Sequence, residues 1–525
     1  MTMSRLAGLL PVVFACQSAL AQSPAFDIST FTIEGATLVD AARLQAVAAP
    51  FAGAGKGMDG IHAASAAIRE AYARAGYPIV QVYAPSQELR GGAVTLRVVE
   101  GKVAKIAVAG QRTYTETNVR ASLPPLREGD KPNTNAVAAA VLLANDNPAR
   151  QLSVNFSPGA APGEVDARID VAEDKVSKTT VTLDNAGARS TGRARIALGY
   201  QHANLFQRDH VLNLQAMAGL QHPGKGSSLT AAYRIPFYQQ RLSLDVIAAY
   251  SDSKSDTTSI AGPLFFSGKG VYAGMRLNQP LSSRGDYRQK LVYGIDYKDF
   301  NNSCRIGAIA LDRCGTITSV PLSVTYLGQA VGARFQAGAS LGYYRNVPGG
   351  SHGGATEYGA RPRNWQALRG SAFVGVATGD WQWRATVNGQ ASSDALIPSE
   401  QFGVGGAASV RGYDERTSAG DKGVAASLEL YTPELFMPKA AGGQAGRHAL
   451  RLLAFYDTGH VHNSDGTPPA AKRLSSVGAG LRYGFGKEVA LRCDVGLAQT
   501  AVGAGGPSAR ERHDAFAHVN FVYSF

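Results

Sequence analysis

The chain is short of the features that mark several large classes of protein. After its first residues it has no stretch of roughly eighteen consecutive apolar residues, so it has no candidate transmembrane helix. Cysteine is scarce, with four in 525 residues. Cys16 lies near the N-terminus, and Cys493, beside Asp494 on an expected strand, reads as an isolated thiol. Cys304 and Cys314 flank a short stretch between strand-like segments. In an oxidising compartment that spacing suits a disulfide closing a loop tip, and two free thiols are the alternative. Further ligands for a metal are missing nearby. No run of five like charges occurs, so the net charge of +12 is scattered over the sequence and no nucleic-acid partner is expected. The ten histidines lack metal-ligand spacing, and the chain contains neither a G-x-S-x-G elbow nor a phosphate-binding loop. His460 and His462 lead into the Asn463–Pro469 loop and read as solvated. No enzyme, cofactor or metal site is expected.

What is present begins with a leader. Arg5 precedes an apolar run from Leu6 to Phe14, and Ala19-Leu20-Ala21 supplies small residues before a cleavage point. This is a secretory signal over 1–21, with a mature chain from Gln22 and a short segment over 22–30. Val13-Phe14-Ala15-Cys16 offers a lipoprotein reading, but Phe14 is bulky for that site.

Two modules follow. Over 31–101, Phe31 to Glu34 reads as a strand, and Thr37 and Asp40 are spaced as a capping box before a helix. A second helix runs from about Asp59 to Ala75, with Ile61, Ile68 and Tyr72 on one face and Gly76 and Pro78 as stop signals. Strands at Ile79–Tyr83 and Ala93–Val99 close the unit. Over 102–173 the order repeats: a strand at Lys105–Val108, helices at Thr115–Leu123 and Ala136–Ala144, and strands at Gln151–Phe156 and Glu164–Val171. The tandem β-α-α-β-β order resembles two POTRA domains, and Leu96 to Gly101 is similar to the end of the first such domain in transporters that carry them. An open sheet edge can pair with an extended peptide.

From about Val176 the helical period gives way to alternation. Ile196, Leu198 and Tyr200 alternate with Arg195, Ala197 and Gln201. Leu244, Val246 and Ala248 interleave with Ser243 and Asp245, and Trp381 and Trp383 with Gln382 and Arg384. One apolar face per strand, continued to the end of the chain with aromatics at its margins, is the pattern of a transmembrane β-barrel over 176–525, with roughly 16 antiparallel strands. The last strand sets Ala517, Val519, Phe521, Tyr523 and Phe525 on one face.

Two segments within the barrel are specific in combination. Gln401-Phe402-Gly403-Val404-Gly405-Gly406 leads through Ser409 to Val410-Arg411-Gly412-Tyr413, which lies between a strand near Gln401–Val404 and another near Val424–Leu430. Arg451 to Gly459 contains Phe455 and Asp457, two apart and so on one strand face. Asp457 is expected to face the lumen, because a carboxylate facing lipid is costly. Together with the terminal Phe525, these segments resemble the outer-membrane transporters of two-partner secretion, the haemolysin-activator type, related to the barrel assembly factors. Asp184-Asn185, Gly187, Thr191-Gly192 and Tyr200 to Asp209 are similar to that family's first hairpin.

The resemblance implies α+β tandem POTRA modules in the periplasm, an outer-membrane barrel, and transport of a secreted, β-helical partner protein. It implies translocation or gating roles for Val410, Arg411, Gly412, Tyr413, Phe455, Asp457 and Gly459, with Arg411 at the tip of an inward-folded loop and Asp457 on the wall. It also implies an assembly signal at Phe521, Tyr523 and Phe525, read by the barrel assembly machinery, and outer-membrane lipids around the barrel. Many relatives carry an N-terminal plug helix, whereas only Gln22 to Thr30 precede the first strand here, which leaves no room for one. An insertase of the same superfamily is the alternative function; a diffusion porin would not need the modules.

Overall fold

The modules repeat in their chemistry as well as in their order. In the first, β1 (Thr30–Glu34), α1 (Ala41–Ala48), α2 (Gly57–Arg74), β2 (Val80–Tyr83) and β3 (Ala93–Glu100) form a sheet of order β1-β3-β2. β1 runs parallel to β3 and β2 antiparallel to it, so β3 is central and both partners are edges. α2 buries Ile61, Ala64, Ile68, Ala71 and Tyr72 at helical spacing, against Phe31, Val94, Leu96 and Val98 of the sheet. Gly76, at φ +90°, ends the helix. In the second, β4 (Lys102–Ala109), α3 (Glu116–Ala121), α4 (Thr134–Ala144), β5 (Arg150–Pro158) and β6 (Glu164–Glu173) give the same permuted order, β4-β6-β5.

The computed structural model describes residues 26–525 except 188–191, 223–225, 260–261, 284, 302–303, 307–308, 312–314, 436–447 and 504–509. The leader expected at 1–21 therefore lies outside the described residues.

Each module closes with a glutamate that satisfies the amides ahead of its first helix. Glu100, the last residue of β3, accepts from the backbone N–H groups of Thr37 (2.7 Å) and Leu38 (2.8 Å), from the Tyr72 hydroxyl (2.7 Å) and from Lys131 Nζ (2.6 Å). Glu173, the last residue of β6, accepts from the N–H groups of Arg112 (2.8 Å), Thr113 (2.8 Å) and Tyr114 (3.2 Å). A left-handed glycine ends the first strand of each unit, Gly35 and Gly110. In both cases a Cβ would lie 2.4 Å from a carbonyl oxygen, that of Val98 or Val171, two residues before the glutamate. The expected capping box is not formed. Asp40 alone caps α1, accepting from the N–H of Ala42 (2.7 Å), while the Thr37 hydroxyl donates to Glu100. A buried carboxylate 63 residues along the chain outcompetes the local partner.

The chain clusters into two compact units, and the boundary runs through the second module: 108–124 and 138–155 go with the barrel. A buried ion pair explains that membership. Arg150 on β5 meets Asp209, in the turn after the second barrel strand, at 2.8 Å, with both side chains fully buried. Asn118 and the Tyr238 hydroxyl complete the cluster.

Sixteen antiparallel strands close the barrel, from Ser177–Asp184 to Ala515–Ser524. The eighth is interrupted into Thr316–Ser319 and Pro321–Val331, both paired with Tyr287–Asn301. The last strand pairs with the first, Tyr523 opposite Val181, and Phe525 and Thr179 exchange two main-chain hydrogen bonds of 2.9 Å at the seam. Closure leaves no unpaired edge in the lipid. Period-two alternation sets the faces: Leu198 (55% exposed), Val246, Trp381, Trp383, Tyr523 and Phe525 point outward, and Ser243 and Asp245 (1% exposed) are buried inside.

The glutamate clamp gives a pH signature. Burial alone would raise the Glu100 carboxyl, but hydrogen bonds from Lys131, Thr37 and Tyr72 bring it down to about 2. A depressed pKa stabilises the fold above the ordinary carboxylate range, and that stability is lost as pH falls toward 2. Glu100→Gln is expected to cost the first module ~2 kcal/mol at neutral pH and to flatten its stability between about pH 4 and 2. Hydrogen exchange in β1 and β3 across that range, in the detergent-solubilised protein, reads both effects; identical profiles for the variant and the parent would contradict the clamp.

Candidate functional site: a loop strapped inside the barrel

The eleventh barrel strand, Trp381–Ala391, is followed by a long connection that does not stay outside. Because each strand reverses direction, this connection emerges at the end of the barrel opposite the one where the first strand begins, and it then folds back into the lumen. Its stem is a short hairpin, Phe402–Val404 paired with Ser418–Gly420, and Lys422–Tyr431 resumes the wall as the twelfth strand. The segment near Gln401–Val404 is thus a strand of the inward loop. Of the two strands expected to flank Val410–Tyr413, only the one near Val424–Leu430 belongs to the wall.

The turn between the hairpin arms carries Val410 to Tyr413. Val410 and Tyr413 are fully buried among Val404, Ala425, Val461 and Leu474. The Tyr413 hydroxyl lies 2.9 Å from the carbonyl of Ser475 and 2.8 Å from that of Thr500. Gly412 takes φ +92°, and its N–H donates to His518 Nε2 at 3.2 Å. Only glycine fits against the wall here. A Cβ on Gly496 would lie 2.6 Å from the Gly412 nitrogen, and one on Gly412 would lie 3.1 Å from the Gly496 carbonyl. Gly459 likewise leaves room for Val404 and Val410.

Arg411, 4% exposed, is bound from every side. Nε donates to Asp457 Oδ2 at 2.7 Å and Nη2 to Oδ1 at 2.8 Å, while the Arg411 backbone N–H reaches Oδ2 at 3.1 Å. Nη1 donates to Glu429 at 2.7 Å and lies 3.6 Å from Asp494; Nη2 donates to Ser427 at 3.0 Å. The guanidinium carbon sits 3.6 Å from the centroid of Phe455. Strand register assembles these partners. Ser427 is opposite Asp457, Glu429 opposite Phe455, Phe455 opposite Gly478, and Asp494 opposite His518. Gly478 leaves space for the Phe455 ring, since a Cβ there would lie 2.3 Å from it. Asp494 is held in turn by Arg482 (2.7 and 2.9 Å) and Glu429 by the Tyr431 hydroxyl (2.9 Å).

All seven expected loop and wall residues therefore meet at one place. Glu429, Ser427, Asp494, His518 and the glycines opposite Phe455 and Gly412 were not among the expected residues. The available signal was a charge on the inward face of an alternating strand, as at Glu429 between Leu428 and Leu430. Beside the loop, a cavity of about 910 Å³ is lined by Asp184, Arg195, Arg384, Asn388 and Arg492 among others. Ala407, Ala408, Ser409 and Arg411 of the loop form part of its lining.

The other expected residues lie apart from this centre. Phe521, Tyr523 and Phe525 are on the last strand, with Tyr523 and Phe525 exposed and their rings 5.5 Å apart. Cys304 begins a small hairpin with Ile309–Leu311, but Cys314 is outside the described residues, so the expected disulfide is too. Cys493 is a free, half-buried thiol. His460 and His462 stand on the strand His448–His462, before the loop, and no metal-binding cluster occurs among the described residues.

A guanidinium removed from water and held by a fork of carboxylate oxygens is expensive to strand. Arg411→Lys keeps the charge but not the fork, and is expected to cost most of the about 3–5 kcal/mol typical of a broken buried pair. Gly496→Val should displace the same loop sterically. Limited proteolysis of the solubilised barrel checks both: cleavage within 405–417 should speed up while the barrel stays folded, and parental cleavage rates would contradict the anchoring.

Comparison with known proteins places this architecture. The profile of the haemolysin secretion/activation protein ShlB/FhaC/HecB matches residues 163–483, and a ShlB-type POTRA domain matches residues 26–101. The outer membrane transporter CdiB of Dickeya dadantii (strain 3937) is 23% identical over 449 residues, covering 84% of this chain and 77% of that protein. The heme/hemopexin transporter protein HuxB of Haemophilus influenzae (strain ATCC 51907 / DSM 11121 / KW20 / Rd) is 22% identical, covering 82% and 75%. The structure of CdiB from Escherichia coli superposes with a TM-score of 0.78 at 20% identity, over 97% of this chain and 92% of that one. With the POTRA fold, the closed barrel and the inward loop in one polypeptide, the chain belongs to the ShlB/FhaC/HecB haemolysin secretion/activation family, the outer-membrane transporters of two-partner secretion.

Proposed function

We propose that the chain captures one secreted partner protein on its periplasmic modules, POTRA 1 over 31–101 and POTRA 2 over 102–173, and passes it through the barrel of 176–525 as the inward loop moves aside. The observation that carries this reading is the Arg411 site. The tip of a loop that obstructs the lumen is held there by one multiply bonded guanidinium, an attachment that is strong yet whose contacts can be released together. Val410, Gly412, Tyr413, Phe455 and Gly459 shape that attachment, and Asp457 is its main acceptor.

The modules suit a client that arrives unfolded. Each three-stranded sheet keeps two of its strands at the edges, β1 and β2 in the first module. An extended segment can add to such an edge through main-chain hydrogen bonds, largely independent of its sequence. A β-helical exoprotein that folds outside the cell fits this handling. CdiB and HuxB, whose names record transport, support the same reading. The outward aromatics Phe521, Tyr523 and Phe525 are read as the surface recognised by the barrel assembly machinery before the strand enters lipid.

Deleting residues 31–100 should abolish secretion of the partner while the barrel remains inserted and heat-modifiable; undiminished secretion would reduce the first module to a spacer. Phe525→Ala should lower the amount of folded barrel in the outer membrane several-fold, measured by the shifted band in unheated gels, and parental levels would remove the assembly role.

A further inference from the structure

The inward loop has a second anchor, at its base, with the opposite electrical sense. Glu400 precedes the hairpin stem and its side chain is fully buried. Lys298 of the seventh strand donates to Oε1 at 2.9 Å, and Ser319 of the eighth reaches the same oxygen at 3.1 Å. Arg369 of the tenth strand donates to Oε2 at 2.8 Å and to the Glu400 carbonyl at 3.1 Å. Gln390 of the eleventh donates to that carbonyl at 2.9 Å and accepts from Arg369 Nε at 2.8 Å. Tyr344, on the ninth, lies under the Arg369 guanidinium at 4.6 Å. Next to this cluster, Leu396 and Ile397 are buried against Trp365, Ile317 and Tyr358.

The wall supplies two cations for one carboxylate here, whereas around Arg411 it supplies three carboxylates, Asp457, Glu429 and Asp494. The partners also come from separate parts of the barrel, the seventh to eleventh strands at the base and the twelfth, thirteenth, fifteenth and sixteenth at the tip. We infer that Glu400 is a second positioning residue, and that the loop is a strap anchored twice, by a buried carboxylate at its base and by the buried Arg411 guanidinium at its tip, where Asp414 adds a pair with Arg193. Two separate anchors mean that releasing Arg411 alone leaves the loop tethered in the lumen, so full opening requires both locks to break. No part of the Arg411 site predicts this, since Glu400 touches none of its residues.

The inference rests on the reading that the loop closes the lumen, and the two can be tested separately. Purified full-length protein and the variants Glu400→Gln, Lys298→Met, Arg411→Ala and Glu400→Gln with Arg411→Ala would be inserted in planar lipid bilayers and their channel openings recorded. Heat-modifiable migration would establish that each barrel is folded. Glu400→Gln leaves two partly buried cations, Lys298 and Arg369, facing a neutral amide and should raise the frequency of openings about tenfold or more. Lys298→Met, which leaves Glu400 with Arg369, should give a smaller rise and guards against a Glu400 variant that fails to fold. Glu400→Asp, restoring the charge with a shorter reach, should return part of the closure. The double variant should open further than either single one. If Arg411→Ala opens the channel while folded Glu400→Gln and Lys298→Met stay as quiet as the parent, the second lock is overturned and the closure reading stands. If neither single variant nor the double variant Glu400→Gln with Arg411→Ala changes the openings, the closure reading fails and the strap falls with it.

Discussion

A charged arginine kept out of water inside a barrel needs more acceptors than any one strand can offer, and the last third of the chain is arranged around that need. Five donors in a planar fork are matched by oxygens from three strands, with an aromatic face beneath. The match fixes the strand register, because Ser427, Asp457, Glu429 and Asp494 reach one guanidinium only if the twelfth to fifteenth strands are aligned as they are. It fixes the glycines too. Backbone must approach backbone at Gly412 and Gly496, and Phe455 must lie flat over Gly478. Position, packing and charge at the tip are thus consequences of one desolvation problem, and so is the tip's capacity to detach, since the same contacts are lost together.

The periplasmic part uses carboxylates in a different way. Glu100 and Glu173 act as internal caps that tie the end of a module's central strand to the turn before its first helix. The repetition extends to the left-handed glycine directly after the first strand of each module, Gly35 and Gly110. Arg150 and Asp209 then bind part of the second module into the barrel's compact unit. A charge pair buried completely on both sides marks a junction that is not expected to slide.

Much of this was legible in the sequence, for reasons that differ by element. Strand alternation revealed the barrel because lipid and lumen impose opposite demands on successive residues, as at Leu244 and Asp245. Helix stops at Gly76 and Pro78 were local chemistry and were found where expected. Arg411 and Asp457 were identified through family resemblance and the cost of facing lipid. What stayed hidden depended on contacts between distant segments. Thr37 was assigned to a local cap, although Glu100 takes its hydroxyl and its amide. Gln401–Val404 reads as a strand, and nothing local distinguishes a hairpin arm packed inside a barrel from one in its wall. Glu429, Asp494 and Glu400 are single acidic residues whose meaning depends on which strands lie beside them.

The pairing of Arg411 with Asp457 is the claim on which the account stands. A double-mutant cycle of secretion, with Arg411→Ala, Asp457→Ala and the double variant in barrels shown to be folded and inserted, tests it most directly. If the two act as a unit, the double variant should secrete no worse than Arg411→Ala alone. Strictly additive losses would show that the residues work separately, and the loop's anchorage would need another explanation.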